Sequence, residues 1–311
     1  MFKKIGFVVL AVVLSACSNN GVQNGSVSEN IRLENSTTND SSVKINVERV
    51  LTPAENISHV HGVSVDPNDD SKLYIATHNG LFLLENDSDL FKVGNSSDDF
   101  MGFSAHPTLS EKFYASGHPK TGGNLGVLES NDSGQTWDMI SMGLDRPVDF
   151  HAMDINIADA NVLYGFYGEL MKSLDAGKTW NVVPTPFSQV ISLVSDSQDA
   201  NVLFANTQFG TFVSRDQSDN WSLLSPQLES VMVSDMAIAR ENNKQMLSFS
   251  KELGLARSLD GGISWNSLES DLGVVMKFAE STKNSDTVYA TTMDSKIFKT
   301  IDFGDNWTQV L

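Results

Sequence analysis

The sequence predicts an all-β fold, a six-bladed β-propeller, and three observations carry the prediction. Five tryptophans, the only ones in the 311-residue chain, stand at steps of 43, 41, 44 and 42 residues. Each closes the same kind of turn: SNDSGQTW ends at Trp137, SLDAGKTW at Trp180, SRDQSDNW at Trp221, SLDGGISW at Trp265 and TIDFGDNW at Trp307. Between these turns lie short apolar runs of strand length, and no 3.6-residue period is sustained. A repeat of about 42 residues that holds four short strands is a propeller blade. Seven blades is the alternative count.

The N-terminus has a different character. Lys3 and Lys4 precede a short apolar run, Ile5 to Leu14, and Leu14-Ser15-Ala16-Cys17 follows. The run is too short to span a bilayer and reads as a secretory signal. Its end resembles the lipobox of bacterial lipoproteins, which implies acylation of Cys17 and residues 1–17 as the lipoprotein signal. Cys17 is the only cysteine, so no internal disulfide forms. Residues 18–42 are rich in Ser, Asn and Gly and poor in large apolar side chains, a composition that makes a flexible tether. Residues 43–311 are then the propeller. The expected location is a membrane, through the lipid, with the folded domain facing outside the cytoplasm at the cell surface or in the periplasm.

Within the propeller each repeat runs in one order. An apolar strand such as VHGVSVDP or FHAMDINI comes first, then LYIAT, VLYGF, VLFAN or VYATT. A glycine-containing turn leads to a third strand such as GLFLLE or GTFVS, and the Asp-Gly-Trp turn leads to the fourth. The stretch from His59 to Val93 follows the same order without a Trp, with Asp87 near the Asp position and Phe91 in the Trp role. Six blades therefore start near residues 57, 99, 149, 189, 233 and 274. The extra segment Val43–Leu51 is expected to pair with the last blade and close the ring, which removes free edges.

The turn S/T-x-D-x-G-x-T/S-W resembles the Asp-box of bacterial neuraminidase-type (BNR) repeats, found in sialidases, sortilin-like receptors and a photosystem II assembly propeller. Asp accepts backbone N–H groups in an Asx-type turn, Gly takes a positive φ, and Trp buries its ring between sheets. The turns lie at the periphery, so their role is structural: Asp132, Gly134 and Trp137; Asp175, Gly177 and Trp180; Asp216 and Trp221; Asp260, Gly262 and Trp265; Asp302, Gly304 and Trp307. Ser218 and Asn220 depart from the pattern in the fourth blade, as does Asp305-Asn306 in the last.

A binding site belongs instead at the axial rim where first strands start. The blades align on a second-strand residue: Tyr74, Tyr114, Tyr164, Phe204, Leu247 and Tyr289. Fifteen positions before it stand His59, Asp99, Asp149, Gln189, Met232 and Val274; thirteen before, His61, Met101, His151, Ile191, Ser234 and Met276; four after, His78, His118, Gly168, Gln208, Lys251 and Met293. Five of the six histidines thus fall in rim registers, and only His106 does not. Strand alternation puts His59 beside His61, Asp99 beside Met101 and Asp149 beside His151. Imidazole suits zinc, copper, iron or nickel, and thioether favours Cu(I). His59, His61, Met101, His118 and His151 are the candidate metal or ligand set, with His78 and Asp149 secondary and copper or zinc the candidate ion. Hydrogen bonding to an organic ligand and purely structural histidines are the competing readings, with His78 and His118 as turn residues.

A sialidase would need three arginines at the axis. Of Arg49, Arg146, Arg215, Arg240 and Arg257, only Arg146 lies just before a rim strand, Arg240 is expected on the opposite face, and no F/Y-R-I-P stretch exists. The resemblance covers the scaffold and fails at the site. Another glycoside hydrolase would use two carboxylates, with Asp149, Asp99 and Glu169 as candidates. The mature chain also resembles small bacterial BNR-repeat lipoproteins that carry glycosyl hydrolase or exo-sialidase labels, which implies fold and location only. The formal charge of −18 becomes −20 when Lys3 and Lys4 are removed, which argues against nucleic acid. The reading is a membrane-anchored extracytoplasmic propeller that binds a small ligand, metal or glycan at the mouth of blades one to three. A glycoside hydrolase and a scaffold that assembles another extracytoplasmic protein are the alternatives.

Overall fold

The computed structural model describes residues 49–311, so the signal, Cys17 and the tether lie outside the described residues. Six antiparallel sheets follow one another along the chain, each built from consecutive strands. Their innermost strands are Val60–Asp66, Asp99–Ala105, Ala152–Ile155, Ser192–Ser195, Val233–Ile238 and Val275–Glu280. Each inner strand contacts the next, and the sixth contacts the first, so the ring is closed. One 3-10 turn, Pro226–Leu228, is the only helix among the described residues.

A four-stranded sheet cannot bury both faces alone. Here the apolar residues form six clusters, one at each junction of neighbouring blades. The alignment residues Tyr74, Tyr114, Tyr164, Phe204, Leu247 and Tyr289 are all fully buried in them. Gly165 is required by this packing: a Cβ there would sit 2.6 Å from the Phe150 ring.

The tryptophan-bearing turns share one bonding scheme. In blade three the Ser173 hydroxyl donates to Asp175 Oδ1 and accepts Gly177 N–H, while Asp175 accepts the Thr179 N–H and hydroxyl at 2.8 and 2.7 Å. Asn220 and Asn306 keep the scheme in blades four and six, because the amide Nδ2 donates to Asp216 or Asp302 where Thr would use its hydroxyl. The departures read from sequence are therefore equivalent donors.

Blade one differs from expectation. Asn86 and Asp87 both take positive φ, 54° and 59°, and form a tight reversal. Asp87 does not fasten its own turn. It accepts the Tyr289 hydroxyl at 2.7 Å and Lys299 Nζ at 2.7 Å, both from blade six.

The expected pairing of the N-terminal segment with the last blade is also corrected. Leu51–Pro53 runs antiparallel to the outermost strand of blade one, with Leu51 opposite Val93 and Pro53 opposite Phe91; Val43–Glu48 lies outside the described residues. Among the described residues, no strand is exchanged between first and last sheets. The seam is held by the Asp87 contacts, by Thr282 Oγ1 donating to Pro67 O at 2.8 Å, and by packing of Val310 and Leu311 with blade-one residues.

The tyrosine hydroxyls make a controlled comparison. Tyr289→Phe removes the Asp87 bond and is expected to cost about 1 kcal/mol. Tyr164→Phe removes a buried hydroxyl that has no partner, so it is expected to be neutral or stabilising. Urea unfolding midpoints of the two variants check the contrast.

Candidate functional site

The mouth is shaped by irregularities at the starts of the inner strands. In blades one, two, five and six the pairing slips by one residue at His61, Met101, Ser234 and Met276. These are the residues thirteen before the alignment position. Each is the extra residue of a bulge, a device that re-aims a side chain. His59 and His61 therefore meet across a bulge, with rings 5.0 Å apart, and not by the regular alternation expected. His61, His151, Ile191, Ser234 and Met276 line the mouth together with His59 and Lys277. Below it an axial cavity of about 120 Å³ continues past Met101 to Arg240 and Thr282.

Two groups of three ligand atoms stand at this rim, each with its atoms within 4.8 Å of one another. The first joins His61 and His78 of blade one to Asp99 of blade two. His78 Nδ1 lies 2.6 Å from Asp99 Oδ2, His61 Nε2 lies 3.2 Å from His78 Nδ1, and His61 Nε2 lies 3.4 Å from Asp99 Oδ1. The second joins His118 of blade two to Asp149 and His151 of blade three. His118 Nε2 and His151 Nε2 approach the same oxygen, Asp149 Oδ2, at 2.9 and 2.7 Å.

The second group carries a proton-counting problem. His118 Nδ1 faces the Gly123 carbonyl at 3.3 Å. A carbonyl only accepts, so this contact selects the tautomer with the hydrogen on Nδ1, and Nε2 then presents a lone pair to a carboxylate oxygen. A second proton, transfer of the hydrogen to Nε2 with loss of the Gly123 contact, or a metal ion placed between them resolves that repulsion. A ring N–H on a backbone carbonyl with the other nitrogen turned to the centre is the arrangement that metal-ligating histidines use. Asp149 is 2 % exposed, and its Oδ1 has no hydrogen-bond partner. A buried carboxylate oxygen left without a donor is costly unless a cation meets it.

The two outlying histidines of these groups differ in charge preference. Burial is the largest influence on His61 and lowers its pKa from 6.5 to about 4, against the opposing pull of Asp99. The hydrogen bond that His151 donates to Asp149 raises its pKa above 6.5. His61 is thus a neutral imidazole at physiological pH, the form that ligates metals.

Several expected residues stand apart. Met101 lines the axial cavity. His59 stacks against His78 at 5.5 Å as a ring neighbour of the first group. Glu169 is exposed at a strand start and belongs to neither group. Of the arginines, Arg240 lines the axial cavity, and Arg257 pairs with Asp305 at 2.7 Å in a peripheral turn.

The sequence reading did not single out the acids inside the channel. Asp154, Asp235 and Glu280 each accept one backbone N–H from a neighbouring inner strand: Ser195 at 2.7 Å, Phe278 at 2.9 Å and Ile238 at 3.1 Å. Burial pushes Asp154 up to about 7 and raises Asp235 and Glu280 as well. They lace inner strands together where no ladder exists. Their signal was a polar residue in an inner strand where an apolar one is expected. The cross-blade pairing was legible too: a histidine four after the alignment residue meets an aspartate fifteen before it in the next blade.

Fold and rim together define a six-bladed propeller with a histidine–aspartate mouth. No protein-family model matches the sequence, and no curated protein matches it. Solved structures do share the fold. A GH74 xyloglucanase from Xanthomonas campestris superposes with TM-score 0.59 at 14% identity over 85% of this chain and 47% of that one. A GH74 enzyme from Niastella koreensis gives 0.61 at 13% over 83% and 46%. YCF48 bound to D1 peptide gives 0.54 at 12% over 84% of both chains. The chain spans under half the length of the GH74 enzymes.

The two shifted histidines act with opposite sign on stability. Protonation of His61 is favoured in the unfolded chain, so its effect lowers stability as pH falls from 6.5 toward 4. The His151 contribution is fully present below 6.5 and is lost as pH rises through its folded value. NMR titration of the ring protons is expected to find His61 still neutral at about pH 5 and His151 titrating above 6.5.

Proposed function

We propose that this protein is a membrane-anchored, extracytoplasmic propeller that binds a transition-metal ion at the axial mouth of blades one to three. The observation that carries the reading is the convergence of His118 Nε2 and His151 Nε2 on one oxygen of a buried Asp149 whose other oxygen is unpartnered. Two imidazoles and one carboxylate with open positions suit zinc, copper(II), nickel or iron(II) and disfavour calcium or magnesium. The acidic surface concentrates cations near the mouth.

A second reading is a docking platform for another protein. It draws support from the YCF48 structure with its bound D1 peptide, which matches over nearly the whole of both chains. It also draws on exposed Phe209, Met232 and Met293 at the same mouth, on blades four to six. A glycoside hydrolase reading rests on the GH74 likeness, which is a likeness of fold. The rim carboxylates Asp99 and Asp149 are each engaged by imidazoles, and the channel acids by backbone N–H groups.

Untagged protein is expected to retain zinc or copper on elemental analysis, or to take either up at micromolar concentration by calorimetry. Asp149→Asn is expected to weaken uptake by more than the roughly 10–100-fold that loss of an outer-shell partner costs. No metal retained and none taken up would sink the reading; a stoichiometric polypeptide partner recovered with metal-free protein would favour the platform. Cys17→Ser is expected to move the protein from the detergent phase to the aqueous phase in a phase-partition assay, because the acyl chain supplies the membrane affinity.

A further inference from the structure

We infer that the mouth holds two separate metal sites, one at each of the first two blade junctions, set side by side on blade two. This rests on the metal reading above and extends it.

The argument starts from repeat equivalence. His78 stands four residues after the alignment tyrosine of blade one, and Asp99 stands fifteen before that of blade two. His118 and Asp149 occupy the same two registers one blade later. The ring therefore builds the same His–Asp contact twice, at 2.6 Å between blades one and two and at 2.9 Å between blades two and three. The remaining junctions carry Gly168 with Gln189, Gln208 with Met232, Lys251 with Val274 and Met293 with His59, and none of these pairs a histidine with a carboxylate.

Each contact then gains one more imidazole from the register thirteen before the alignment residue, but from opposite sides. His61 comes from the preceding blade in the first group. His151 comes from the following blade in the second. The blade-two residue of that register is Met101, a thioether and not an imidazole. The donors therefore divide three and three and do not gather at one point.

The geometry of the first group fits an ion of its own. A tetrahedral zinc with bonds of about 2.0–2.1 Å holds its donors about 3.3 Å apart. His61 Nε2 stands 3.2 Å from His78 Nδ1 and 3.4 Å from Asp99 Oδ1. Asp99 Oδ1 is buried and accepts no hydrogen bond, as is true of Asp149 Oδ1 in the second group. Each site thus has one carboxylate oxygen waiting for a cation.

The sites are close enough to influence each other. Asp99 of the first group lies directly opposite His118 of the second on paired strands of blade two. Opposed residues of an antiparallel pair have Cα atoms about 4.5–5.5 Å apart. Two divalent ions held there would repel each other, so the second is expected to bind more weakly than the first. Lys277, which faces His61 across the seam, adds to the disadvantage of the first group.

Cobalt(II) and zinc(II) titrations of untagged protein test the inference, followed by calorimetry and by the visible d–d bands of cobalt. His78 and His151 have half-exposed side chains, 47% and 57%, so His78→Ala and His151→Ala leave the fold intact, which far-ultraviolet circular dichroism verifies. Wild type is expected to take up two ions in unequal steps, each single variant one, and the double variant none. Two copper(II) ions in the wild type are expected to show dipolar broadening in electron paramagnetic resonance that each variant lacks. One ion in the wild type, lost in either or both variants, would overturn the two-site inference and leave the metal reading standing. No ion in the wild type would overturn the metal reading itself.

Discussion

Everything in this molecule follows from the contact between one blade and the next. A four-stranded antiparallel sheet with apolar residues on both faces has no stable existence in water, and the ring supplies each face with a partner. The six apolar clusters sit at the six junctions. Because the junctions are equivalent, residues in equivalent registers recur around the axis at fixed separations. The His78–Asp99 and His118–Asp149 contacts arise this way: packing that buries Tyr74 and Tyr114 also carries the second-strand end of one blade to the first-strand start of the next. The chemistry at the mouth is a by-product of the geometry that stabilises the core.

Most of the fold was legible because its signals are local. A turn that needs an acceptor, a positive φ and a large ring leaves the same eight-letter stretch five times, and the spacing counts the blades. Blade one escaped the pattern, since Asn86 and Asp87 make their reversal without the Trp and Asp87 serves the seam. The rim histidines were legible as a register. Their division into two trios was not, because it depends on bulges at His61 and Met101 and on which neighbour each side chain faces. Alternation along a strand gives no warning of an inserted residue. The closing strand was misplaced for a related reason: Leu51–Pro53 satisfies an edge equally well on either side of the seam, and nothing local chooses between them.

The polar interior shows how the ring handles its axis. Inner strands of adjacent blades do not share a hydrogen-bond ladder, so their facing N–H groups need other acceptors. Asp154, Asp235 and Glu280 supply them. Their proton affinity rises in consequence, while Lys277 and Arg240 offset the buried charge near Asp235 and Glu280. The mouth and the channel thus use carboxylates in two ways. Those in the channel each accept a backbone N–H from a neighbouring inner strand, and those at the mouth keep an oxygen free.

The absence, among the described residues, of a strand shared between the first and last sheets bears on how the chain assembles. Every blade is made of consecutive residues, so its pairing is sequence-local and carries little loop-closure entropy. The long-range step is the docking of blade six onto blade one, across separations of more than 200 residues, as between Asp87 and Tyr289 or Pro67 and Thr282. During synthesis, blade one emerges first and waits with one face uncovered until the last forty or so residues arrive. The seam is therefore the final boundary to form. His61 stands beside it, facing Lys277, yet the His61–His78–Asp99 group draws only on blades one and two and so needs the first blade junction, not the closed circle.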